Sequence, residues 1–143
     1  MSRLYFETDA AEACPVEFGG ASDVLVHLLS FAFSTRYGSI HPLSQLSLML
    51  RGERKINMTP LTTFADRDVE VEADADLLER AWQDAAPLAE TLRAVTAALA
   101  SGDERIATLT AESPDLLARL EDLRRMAEWA AERGTRVRLT YDL

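Results

Sequence analysis

The chain has 143 residues and a formal net charge of −9, a length typical of one domain and enough to bury about two-thirds of the unfolded surface without a disulfide or metal staple. Apolar residues make up 48% and charged residues 27%, and no apolar run approaches the roughly 20 residues that a membrane-spanning helix needs. Nucleic acids and anionic membranes are held mainly by lysine and arginine, so the acidic balance argues against both and suits a basic protein partner instead.

The opening MSRLYFETDAAE has no hydrophobic stretch of the signal-peptide kind, and Cys14 is the only cysteine. Both features lead to the expectation of a cytoplasmic protein without disulfides. All 15 basic residues except Lys55 are arginine, and with abundant alanine this suggests a GC-rich bacterial source.

RLYFETD (Arg3 to Asp9) alternates, with Leu4 and Phe6 on one face and Arg3, Tyr5 and Glu7 on the other, as in a half-buried strand. SDVLVHLLSFAF predicts a central buried helix, with Ser22 as N-cap and Asp23 at its positive end. HPLSQLSLMLRG predicts a second helix, with Pro42 in its first turn and Gly52 as its C-cap. DVEVEAD (Asp68 to Asp74) alternates again and predicts a strand, Val69 and Val71 against the acids. From Asp76 to Ala100, the apolar positions Leu78, Ala81, Ala85, Leu88, Leu92, Val95 and Leu99 step by three and four, a bundle-like seam. Pro87 lies within that seam and should kink or split the helix. RIATLT (Arg105 to Thr110) reads equally as strand or helix. SPDLLARLEDLRRMAEWAAERG predicts a capped helix with the seam Leu116, Leu120, Leu123, Ala127 and Ala130, ended by Gly134. RVRLTYDL closes with a third alternation. The expected fold is therefore α+β: a helix-dominated single domain, residues 1–143, with a small sheet formed by the terminal strands and a helical hairpin in the C-terminal half.

Candidate chemistry concentrates in FAFSTRYGSIHPL. Arg36 can hold a carboxylate or phosphate, Tyr37 can stack or donate a hydrogen bond, and His41 can move protons near neutral pH. The same residues also suit a plain helix end and turn, with Gly38 as the cap. His27, on the apolar helix, reads as a core histidine or as a further ligand group. The two histidines have no metal-site spacing, and no metal or cofactor is expected. Cys14 lies between Glu12 and Glu17, which would raise its pKa and keep it inert. The glycine pair in FGGAS precedes a helix start, where anions bind, but lacks a full phosphate-loop pattern. The acids from Asp66 to Asp76 read as a solvated face or as a docking surface for a basic partner. Trp82 and Trp129 sit beside the helical seams, in the core or at a homodimer interface. No known catalytic motif is present. The leading expectation is a non-catalytic protein-interaction, regulatory or immunity-type module. The alternative is a small-molecule binder or enzyme with an anion-holding pocket at Arg36, Tyr37 and His41.

Overall fold

The computed structural model describes residues 2–32 and 41–143. Arg36, Tyr37 and Gly38 lie outside the described residues, so the expectations placed on them have no structural counterpart here. The fold is α+β, with a small sheet on one side of a helical core.

Strand β1 (Arg3–Thr8) pairs antiparallel with β4 (Arg136–Asp142), in a register that sets Arg3 opposite Asp142 and Thr8 opposite Val137. Both ends of the chain are thus tied into one sheet. The free side of β4 pairs with two short strands: β2 (Phe64–Asp66), parallel, and β3 (Gln83–Asp84), antiparallel. The alternation sorts as expected. Leu4, Val137 and Leu139 are buried against the helices. Glu7 and Arg138 meet on the other face, where the Arg138 guanidinium donates to the Glu7 carboxylate at 2.8 Å.

The helices are α1 (Asp23–Ala32), α2 (Pro42–Gly52), α3 (Thr59–Thr62), α4 (Glu72–Arg80), α5 (Ala85–Leu99), α6 (Glu104–Leu109) and α7 (Leu116–Glu132). α5 and α7 make the most extensive helix–helix contact. They run antiparallel, because α5 starts where α7 ends: the Ala85 N–H donates to the Thr135 carbonyl. Leu88, Leu92 and Val95 meet Leu116, Leu120, Leu123 and Ala127 in one buried cluster, as the two seams predict. Gly134, at φ +64°, supplies the left-handed turn that ends α7.

Several expectations are corrected. DVEVEAD is no strand: Val69 and Val71 are exposed, and the Asp74 carboxylate accepts the N–H groups of Glu70 and Val71. This local side-chain capping starts α4 in place of strand pairing. The helix expected from Asp76 to Ala100 is broken at Ala81–Asp84, where β3 adds to β4, and not at Pro87. Pro87 falls in the first turn of α5, where a missing N–H removes no helical bond. RIATLT, left open between strand and helix, is helical, in α6. The left-handed residue after α2 is Lys55, at φ +56°, not Gly52. Ser22 does not use its hydroxyl to cap α1; that group is engaged at the edge of β1.

Candidate functional site

A cavity of about 780 Å³ lies along the outer edge of β1. β1 is the end strand of the sheet, so its main-chain groups alternate between β4 and the outside. The Asp9 N–H donates to the Arg136 carbonyl at 3.2 Å, next to the Thr8–Val137 pair. By alternation Arg3, Tyr5 and Glu7 therefore face the ladder, and Leu4, Phe6 and Thr8 direct their main-chain groups outward. At Leu4 both groups are engaged: its N–H donates to Ser22 Oγ at 2.9 Å, and the Ser22 hydroxyl donates to its carbonyl at 3.2 Å. The N–H and carbonyl of Phe6 have no partner among the described residues.

The opposite wall is the segment between β1 and α1, and the lining includes Phe6, Cys14, Val16, Phe18 and Met126. Four anchors hold this segment. Asp9 Oδ1 accepts the Arg136 N–H at 2.9 Å. Glu12 pairs with Arg133 at 3.2 Å. The Gly19 N–H donates to Asp122 Oδ2 at 2.9 Å. Ser22 closes the end at Leu4. The anion held by the FGGAS glycines is thus the protein's own carboxylate. Asp122 is buried and also pairs with Arg119, at 3.1 Å, and with Arg125. The Arg119 guanidinium lies so close over Gly19 and Gly20 that a Cβ on Gly20 would meet Nη1 at 2.1 Å.

Cys14 is half-buried, and its thiol donates to the Val16 carbonyl at 3.7 Å. Burial pushes its pKa up, against the lowering effects of that hydrogen bond and of the Arg133 charge. The direction matches the sequence reading, but desolvation is the main cause and not the neighbouring glutamates. The thiol is therefore held protonated at neutral pH and contributes apolar contact.

Of the ligand and interface residues nominated from sequence, the described ones, His27, His41, Trp82 and Trp129, do not line this groove. His41 is the N-cap of α2: its Nδ1 accepts the Leu43 N–H at 3.1 Å. Its ring lies flat on Phe31, with centroids 4.0 Å apart. Ser44 donates to the Phe31 carbonyl at 2.6 Å, so α1 and α2 are joined through each other's ends. His27 is exposed on α1, one turn before Phe31. Trp82 is in the turn before β3, not on a helix, and packs against Arg138 at 4.6 Å on the outer sheet face. Trp129 is on α7, on the helical side of the sheet, under Arg133 at 4.0 Å. The two tryptophans are half-buried and do not form one patch.

Among the described residues, no three His, Cys, Asp or Glu side chains gather as a metal site, and no helix is long and apolar enough to cross a membrane. No protein-family model, curated protein or solved structure matches the chain. The sequence signals for the groove were the β1 alternation and the apolar residues of CPVEF, but nothing in them marked β1 as the end strand.

Proposed function

We propose that this protein is a non-catalytic interaction module that receives an extended segment of a partner protein along the free edge of β1. One observation carries the reading: the Phe6 N–H and carbonyl open, unpartnered, onto an apolar groove. An added strand would satisfy both groups, and its alternate side chains would meet Cys14, Val16 and Phe18. Main-chain bonds would supply affinity and these contacts specificity. An unpaired strand edge is otherwise a liability that proteins cover, and here Ser22 covers only Leu4. The docked segment is therefore short and centred on Phe6. The net charge of −9 favours a basic partner.

The test is selection from a displayed library of extended peptides, followed by amide exchange of the complex. Peptides that slow exchange at Phe6 and are lost by Cys14→Trp, a groove-filling variant checked for native circular dichroism, support the proposal. Peptides that bind the variant equally, with Phe6 exchange unchanged, overturn it.

A further inference from the structure

We propose that the partner's segment docks as an inserted strand, lying between β1 and residues 13–19 and bonding to both. This mode rests on the free edge of β1 as the docking site and adds a second wall to it. Residues 13–19 alternate in exposure: Cys14, Val16 and Phe18 are half-buried, and Ala13, Pro15, Glu17 and Gly19 are exposed. That is the period of a strand. The three half-buried side chains pack on the helical core, as those of Leu4 and Phe6 do. The run therefore lies edge-on beside the sheet. With side chains directed toward the core and away from it, its main-chain groups point sideways, alternately toward β1 and away.

Those groups are open. Within residues 13–18, only the Val16 carbonyl has a partner among the described residues, the Cys14 thiol at 3.7 Å. None of them bonds to β1, although both runs line one cavity. The run returns antiparallel to β1, since the chain leaves β1 at Thr8 and comes back to Leu4 at Ser22. β1 and residues 13–19 thus resemble a hairpin that is closed at one end and unpaired along its length. α7 holds it open. Asp122 takes the Gly19 N–H at 2.9 Å, Arg133 pairs with Glu12 at 3.2 Å, and the Arg119 guanidinium lies against Gly19 and Gly20. A gap propped between two extended chains is preorganised for a third. The inserted segment runs parallel to one wall and antiparallel to the other, and its successive N–H groups face the two walls in turn. A strand added to β1 alone would leave every second N–H in water.

The test uses the tightest peptide from the display selection, resynthesised with one backbone N-methyl group at each position in turn and titrated by calorimetry. N-methylation at two consecutive central positions should each weaken binding about tenfold, because one N–H faces β1 and the next faces residues 13–18. Amide exchange in the complex with the unmodified peptide should slow at Phe6 and within residues 14–18 together. If only every second position matters and exchange slows at Phe6 but not within residues 14–18, insertion is overturned and one-sided addition to β1 stands. If no position matters and exchange at Phe6 is unchanged, the β1 edge is not the docking site, and insertion falls with it.

Discussion

Replacing Asp122 by alanine removes the carboxylate by which α7 itself holds the segment walling the groove. Three interactions end together. The Gly19 N–H loses a charged acceptor at 2.9 Å, a bond worth about 1.5–3 kcal/mol. Arg119, whose side chain is only 13% exposed, loses its ion partner; its Nε makes no hydrogen bond even with Asp122 present, so the loss is of charge pairing alone, about 1 kcal/mol. Arg125 is 51% exposed and adds no more than about 0.5 kcal/mol after solvent screening. The three overlap, and the Arg119 terminus can turn toward water, so the net loss should be about 2–3 kcal/mol, read as a lower urea midpoint with an unchanged slope. Alkylation of Cys14 should also accelerate as the wall opens. The paired change Arg119→Met/Asp122→Leu should recover the part of the loss due to Arg119, because an apolar pair of similar volume leaves no buried charge stranded, but not the part due to the Gly19 N–H. An Asp122→Ala protein within about 0.5 kcal/mol of the parent, or a double variant as damaged as the single one, would refute this account of the anchor.

His41→Ala should cost about 1–2 kcal/mol, from the lost cap and the lost stack on Phe31; His41→Asn should restore the cap part, visible as recovered amide protection at Leu43. The Glu7 carboxyl is opposed by burial but held below its usual value by hydrogen bonds from Arg138 and Thr140 and by the charges of Arg138 and Arg67. The folded state therefore binds this proton less readily than the unfolded chain. Its contribution is complete above the ordinary glutamate value and fades as pH falls through the lowered one. Acid titration of Glu7→Gln should show a shallower loss below about pH 4.5 than the parent. Gly134→Ala forces a Cβ into the left-handed region at φ +64° and should lose about 1 kcal/mol in a thermal melt.

Much of the architecture was legible because its signals are local. RLYFET and RVRLTYD alternate over six and seven residues, long enough to reveal a buried face. The α5 and α7 seams repeat over several turns. The misread elements are those in which short-range polar bonding or a distant partner decides. DVEVEAD has the period of a strand, yet one carboxylate, that of Asp74, turns it into a helix start. β2 is three residues long, too short for any period, and exists because β4 offers it a free edge. The Ser22 hydroxyl is a good local cap but finds both main-chain groups of Leu4, 18 residues away. The groove is less legible still, since its wall depends on a bond between Gly19 and Asp122, 103 positions apart. A glycine pair can be read from the chain; the carboxylate that occupies it cannot.

Among the described residues, all three of the other strands pair with β4. The sheet therefore has a hub, and the hub is the last of its four strands to be synthesised. Helices α5 and α7 can close early through near-neighbour contacts, whereas β1 must wait for a partner at the far end of the sequence. Closing so long a loop is slow. A lesion in β1 would free a single strand; one in β4 would release every strand at once. The sheet is thus expected to assemble late and together, around the seven residues Arg136–Asp142.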